Sequence, residues 1–280
     1  MPAPDWTPLL RTPAFEVTAL LLGLVVGSFA NVCIHRLPRR ESVVRPPSRC
    51  PGCGALIRPR DNVPVLSWLL LRGRCRACRA PISWRYPAVE AANGLLWLAL
   101  AVMRGPSLRT AVAMLLVTAL LVLSLIDLEH QLLPDAITLP GTAAGLAASV
   151  LPGSPVGPRE AALAAAGGWV GCALVALTWK KLRHVDALGE GDWKMTAMLG
   201  AFFGWERLLL NVLLASASGA LVGVAAVLLG KGGMKSRLPL GTFLGAAGLL
   251  IVLFGDELLV RYREASLSLA QAVFRVLFGG

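Results

Sequence analysis

Most of this chain consists of apolar runs of a length that only a bilayer accommodates. Stretches of about 20 apolar residues mark membrane-spanning helices. Eight candidates follow one another, at 14–34, 87–103, 108–127, 134–151, 160–182, 192–205, 207–229 and 239–260. The first is too long and too glycine-rich for a simple signal peptide. "HRLPRR" follows it, not a small-residue cleavage site, so it is read as a retained span. With 56% hydrophobic residues, the chain leaves room for a folded region outside the membrane in only one long loop.

A net charge of +11 would suit a nucleic-acid binder, but its distribution does not. If the spans alternate from an outside N-terminus, most Lys and Arg fall in the inner loops. Twelve arginines lie from Arg36 to Arg85 alone. This is the positive-inside bias of a membrane protein, helped by anionic lipid. Membrane lipids, and no nucleic acid, are therefore the expected partners of the basic charge. Gly-x-x-x-Gly pairs such as Gly23/Gly27, Gly167/Gly171 and Gly200/Gly204 suit close helix packing within one bundle.

The loop from Arg36 to Pro87 holds "CPGC" (Cys50, Cys53) and "CRAC" (Cys75, Cys78). Two Cys-x-x-Cys pairs at this separation favour a zinc site over redox dithiols. Four thiolates close a tetrahedral site and leave no open position, so such a zinc is structural. The charge bias puts this loop inside the cell, where disulfides are disfavoured. Cys33 and Cys172 lie within spans and read as small apolar residues. His35 borders the loop, but its spacing fits neither pair.

Carboxylates cluster at the edges of spans. Asp127 closes the third span, Pro134 and Asp135 open the fourth, and Asp192 opens the sixth after Gly189-Glu190-Gly191. Two spans separate Asp127 from Asp192, so both acids lie on one face, and the charge bias makes it cytoplasmic. Acids in the membrane are costly and mark function by default. Two on one face could share a proton, as a protease dyad does, or form an ion or proton path. A zincin His-Glu-x-x-His and a serine-hydrolase Gly-x-Ser-x-Gly are both absent.

Gly189, Gly191, Asp192 and Lys194 resemble the signature of GxGD membrane aspartic proteases. "GLVVGSFANVCIHRLPR", the cysteine loop running into "SWRYPAVE", and "IDLEHQLLPD" narrow the resemblance to type IV prepilin peptidases. It covers nearly the whole chain. One departure is "LPLGTFLG" (Leu238 to Gly245), where family members often carry an "LPFGPFLA"-like run.

The resemblance implies a bifunctional enzyme of the bacterial inner membrane. It would cleave the basic leader from type IV prepilins or type II secretion pseudopilins. It would then methylate the new N-terminal residue, with S-adenosylmethionine as donor. Asp127 and Asp192 become the expected catalytic pair, with Gly189, Gly191 and Lys194 as support and the four cysteines as metal ligands. No glycine-rich cofactor loop follows a strand, so the donor's site is unassigned. Glu90 and the arginine-rich loop are candidate contributors. Glu129, Asp135, Asp186 and Glu190 would draw the basic leader in by their negative potential. The helix dipole favours a charged Asp192 at a helix start and a neutral Asp127 at a helix end, so Asp192 is expected as base and Asp127 as proton donor. The competing class is a membrane transporter with a carboxylate proton relay, which predicts internal repeats.

The expected fold is an all-α polytopic membrane protein with about eight transmembrane helices and a small cytoplasmic zinc-binding loop domain. Residues 1–35 form a periplasmic segment and the first helix. Residues 36–86 form the zinc-binding domain with its four cysteine ligands. Residues 87–262 form the catalytic domain with seven helices, and 263–280 a C-terminal tail.

Overall fold

A computed structural model describes residues 13–183, 188–230 and 238–278. These are almost wholly helical, and two isolated β-bridges are the only extended pairings among them. The helices are α1 (Pro13–Arg36), the short α2 (Leu66–Leu70), α3 (Arg85–Arg104), α4 (Leu108–His130), α5 (Asp135–Ser149), α6 (Pro158–Arg183), α7 (Glu190–Leu228) and α8 (Leu240–Phe278). The chain divides into two compact units, Met1–Gly141 and Thr142–Gly280.

All eight apolar segments are helical, but among the described residues six helices are long and apolar enough to cross a membrane. Segment 134–151 forms α5, only 15 residues with Pro140 inside it. At 1.5 Å per residue that is about 22 Å, so crossing a bilayer core of about 30 Å, which the placement of Asp127 and Asp192 on one face requires, takes the flanking residues of segment 134–151 or a locally thinned membrane as well. Segments 192–205 and 207–229 are the two halves of α7, a 39-residue helix interrupted at Gly204 (φ 68°, ψ −173°). The sequence reading separates these two spans at Glu206. The chain instead bends at Gly204 and stays helical through Glu206 and Arg207.

In the first unit, α1 and α3 meet along a seam of small residues. A Cβ added at Gly23 would stand 2.9 Å from Gly94 Cα, and one at Gly27 would stand 2.8 Å from Glu90 Cα. The Gly-x-x-x-Gly pair thus serves contact between two helices of one chain. A polar chain ties in α4. Asn93, fully buried, donates to the Gly23 carbonyl (2.7 Å) and accepts from Thr118 (2.8 Å), which in turn accepts from Trp97 Nε1 (3.0 Å). The buried groups of this polar chain thus satisfy one another. Cys33 packs against the neighbouring cluster of Ala30, Ile34, Val89, Val122 and Ile126, an apolar setting as expected.

In the second unit, small residues again set the spacing. A Cβ at Gly200 would lie 2.4 Å from the Ala164 carbonyl oxygen, which puts α7 against α6. Cys172 Sγ donates to Thr196 Oγ1 (3.4 Å) across the same contact. Asn211 of α7 donates to the Leu244 carbonyl of α8 (3.2 Å). At the bend in α7, Glu160 of α6 accepts from the Trp205 N–H (3.3 Å). A carboxylate so placed caps the second half of α7 and complements its dipole. Gly204→Ala would impose a left-handed backbone on a residue with a Cβ, and that Cβ would stand 2.3 Å from Glu160 Oε1. Thermal unfolding in detergent should show a loss of about 1–3 kcal/mol. An unchanged midpoint would mean that the bend does not depend on the glycine.

Candidate functional site

The two knuckles of the cysteine loop fold alike. In the first, Cys50 N–H donates to the Ala55 carbonyl (2.9 Å) and Gly54 N–H to the Cys50 carbonyl (2.8 Å). In the second, Cys75 N–H donates to the Ala80 carbonyl (2.8 Å) and Arg79 N–H to the Cys75 carbonyl (3.0 Å). An antiparallel bridge closes each one, Arg49 with Leu56 and Arg74 with Pro81. The left-handed position falls on Gly54 (φ 69°) and Arg79 (φ 62°), just after each second cysteine. Gly52, within the first pair, serves packing, since a Cβ there would meet Ala80 Cβ at 3.3 Å.

Because the knuckles face each other, the four thiols converge. The sulfurs of Cys50, Cys53, Cys75 and Cys78 all lie within 4.8 Å of one another, and Cys50 Sγ is 3.8 Å from Cys78 Sγ. A tetrahedral zinc with bonds of about 2.3 Å has ligand edges of about 3.8 Å, so the donor set fits. The backbone N–H groups of Cys78 and Ala77 aim at Cys75 and lower its thiol to about 7, which readies it as a thiolate ligand. Arg76, between the second pair, forks onto Asp61, with Nη2 at 2.7 Å from Oδ1 and Nε at 3.0 Å from both oxygens. That pair holds the Asp61 carboxyl below its ordinary range.

The loop is also fastened to the membrane helices. Arg36, at the end of α1, donates to the carbonyls of Ser42 (2.9 Å) and Pro46 (2.8 Å). Glu90, buried on α3, accepts from the Val65 N–H (2.7 Å). Val65 has φ 60°, a costly conformation for a β-branched residue, and Glu90 anchors it at the start of α2. The sequence offered Glu90 as a contributor to donor binding. In the fold it is a strut between loop and helix.

The acids occupy the helix ends that the sequence assigned them. Asp127 is buried in the last turn of α4, where the Gln131 N–H closes the helix on its carbonyl (2.9 Å). Asp192 is half-buried in the first turn of α7, and its Oδ2 accepts from the Gly189 N–H (3.0 Å). Asp127 belongs to the first unit and Asp192 to the second. Gly189 has an ordinary extended backbone (φ −79°, ψ 155°), and a Cβ there would meet only Asp192 Oδ2, at 3.7 Å. The fold itself therefore does not demand a glycine at 189. Gly191 and Lys194 follow in the first turns of the helix, both half-buried.

Of the four acids expected to attract a leader, Asp135 and Glu190 are exposed in the first turns of α5 and α7. Asp186 lies outside the described residues. Glu129 differs, because it forms an ion pair with Arg85 of α3 and has His130 Nε2 at 3.9 Å. No sequence pattern linked residues 85 and 129. Only the packing of α3 beside α4 brings them together.

Comparison with known proteins bears on what these features serve. Residues 21–104 match the bacterial peptidase A24 N-terminal domain, and residues 114–224 match the type IV leader peptidase family. A prepilin leader peptidase/N-methyltransferase of Pseudomonas putida is 41% identical over 276 residues, covering 90% of this chain and 96% of that protein. The chain belongs to the type IV leader peptidase family. Proteins of the same name from Pseudomonas aeruginosa and Myxococcus xanthus are 38% identical over 90% of this chain and 44% identical over 80% of it, covering 94% and 67% of those proteins. No solved structure matches. The two family regions meet the site differently. The first holds the four cysteines, Arg85 and Glu90, and the second holds Asp127 and Asp192.

Proposed function

We propose that this chain removes the leader peptide from type IV prepilins or type II secretion pseudopilins and methylates the new N-terminal residue. The observation that carries this reading is the family membership. Relatives named for both activities match the chain nearly end to end. Nothing in those relatives supports the transporter alternative.

In this reading Asp127 and Asp192 are the catalytic pair. Asp192, at a helix start, is the base that activates water, and Asp127, at a helix end, protonates the scissile carbonyl. Burial of Asp127 and the helix-start position of Asp192 support it. Gly189, dispensable to the fold, leaves its surface bare for close approach of the peptide backbone. Lys194 supports the site or reaches toward headgroups. Asp135, Asp186 and Glu190 draw in the basic leader, with Glu129 a weaker contributor because Arg85 offsets its charge.

The cysteine cluster holds a structural zinc, for which the sulfur spacing speaks. Residues 36–86 form the zinc domain and 87–262 the catalytic domain, flanked by the first span and a C-terminal tail. The protein sits in the bacterial inner membrane among lipids that its basic loop contacts, with its N-terminus periplasmic and its site cytoplasmic. S-adenosylmethionine supplies the methyl group.

The test uses the purified full chain in detergent with a tagged prepilin. A shortened product should appear first. With S-adenosylmethionine present, mass spectrometry should then show one added methyl group on its N-terminus. Absence of cleavage would sink the peptidase reading. Cleavage without methylation would leave a peptidase alone, with the cysteine loop as scaffold.

A further inference from the structure

The cysteine loop carries one helix, α2, that is inside out for a segment in water. Its serine faces in. Ser67 is buried, accepts from the Val63 N–H (2.9 Å) and donates to the Arg60 carbonyl (3.1 Å). Trp68 is half-buried and donates from Nε1 to the Ile82 carbonyl (3.0 Å). The leucines face out. Leu66, Leu69 and Leu70 are 52%, 58% and 73% exposed, and their i, i+3, i+4 spacing puts them on one side of the helix. A single exposed leucine needs no explanation, but three on one face form a patch, and patches mark contacts.

The anchoring of α2 says what covers that patch. α3 is a membrane span of 20 residues, about 30 Å, which matches the thickness of a bilayer core. Its first residue, Arg85, therefore lies at the membrane boundary, and Glu90 lies about 7 Å farther in. Glu90 accepts from the N–H of Val65, the residue just before α2 (2.7 Å). That bond holds α2 alongside the first turns of the span and not beyond its end. Aromatic residues mark the same level. Trp84, just before α3, and Tyr86, in its first turn, are both exposed, and such residues favour the membrane–water interface. Charge agrees. Arg58, Arg60, Arg72 and Arg74 flank α2 in the chain and are all exposed, whereas Asp61 is taken up by Arg76. A leucine face flanked by arginines complements an anionic lipid surface.

We infer that α2 docks into the bilayer leaflet at the N-terminal end of α3, with Leu66, Leu69 and Leu70 among the acyl chains and the neighbouring arginines on anionic headgroups. This goes beyond lipid contact by basic charge, because an apolar face inserts and fixes the metal-binding loop at the membrane surface. The inference rests on α3 as a span and on neither proposed activity.

Photo-crosslinking of the full chain, without substrate, tests this. A diazirine analogue of leucine replaces Leu66, Leu69 or Leu70, one at a time, and the protein is reconstituted in vesicles of phosphatidylethanolamine with a quarter phosphatidylglycerol. On illumination the diazirine loses dinitrogen, and its carbene inserts into an adjoining O–H or C–H bond. Mass spectrometry then reads a water, lipid or protein adduct. Phospholipid adducts should exceed water adducts at least about tenfold, as at Leu95, an exposed position within the α3 span. Phosphatidylglycerol should be enriched among them about two- to fivefold over its share of the vesicle. Circular dichroism and metal content identify any labelled protein that fails to fold, and the three positions are independent of one another. An excess of water adducts at the α2 positions, with lipid adducts at Leu95, would overturn the docking. So would crosslinks to peptides of this chain, which would place a protein surface over the leucines. Lipid adducts that follow the vesicle composition would remove the arginines from the contact. Absence of lipid adducts at Leu95 as well would overturn the span on which the inference rests.

Discussion

Asp127→Asn and Asp192→Asn should each lower prepilin cleavage by a factor of about a thousand or more. Asparagine keeps the shape and removes the ability to take up or give a proton, the property on which the proposed mechanism depends. General acid or base catalysis contributes about a hundred- to ten-thousandfold per group. Residues that act as a unit lose most of the rate when either is removed. The double variant should therefore be hardly worse than the worse single one. Rates measured with a tagged prepilin in detergent check this, and the two readouts need not move together. Methylation of a peptide supplied already cleaved should persist in both variants, because the proposed role of the two acids is confined to hydrolysis. Two single variants that both cleave at near wild-type rates would remove the aspartates from the mechanism.

Stripping the metal should release the cysteine loop while the membrane helices stay folded. The loop is held internally by two bridges, short helical turns, the Asp61–Arg76 pair and a few hydrogen bonds such as Trp68 Nε1 to the Ile82 carbonyl (3.0 Å). Structural zinc typically contributes about 10–16 kcal/mol of binding free energy to small domains, far more than those contacts supply. Twelve arginines from Arg36 to Arg85 make the loop a dense target for trypsin. The holo protein should resist cleavage there. Chelation, or Cys50→Ser with Cys78→Ser, should raise loop cutting at least about tenfold as the open population grows. Cuts should fall between 36 and 85, with the helical circular dichroism nearly unchanged. Equal protease resistance with and without metal would show that the loop folds on its hydrogen bonds alone. Glu90→Gln offers a milder companion. It keeps an acceptor for the Val65 N–H but removes the charge, so a modest rise in loop cutting is expected.

The helical fold and the cysteine cluster were legible in the sequence because their signals are local. A run of apolar residues long enough to cross a bilayer has few other structures open to it. Cys-x-x-Cys places two thiols on one turn whatever surrounds it. The helix-end positions of Asp127 and Asp192 were legible for the same reason, since span edges can be counted. Span number was less so. The spans 192–205 and 207–229 were counted separately, yet they form one helix that bends at Gly204, where Glu160 caps Trp205 from 45 positions away.

By itself, the sequence determined the all-helical membrane fold, the four thiols as a set and the two acids at helix ends. These depend on spacing along one stretch of chain. Only the tertiary structure decided that Gly23 and Gly27 seat α1 against α3, that Glu90 holds Val65, and that Arg85 meets Glu129. Each is a contact between residues far apart in the chain. It exists because packed helices bring particular faces together, and no periodicity in either segment records which residue of the other it will face.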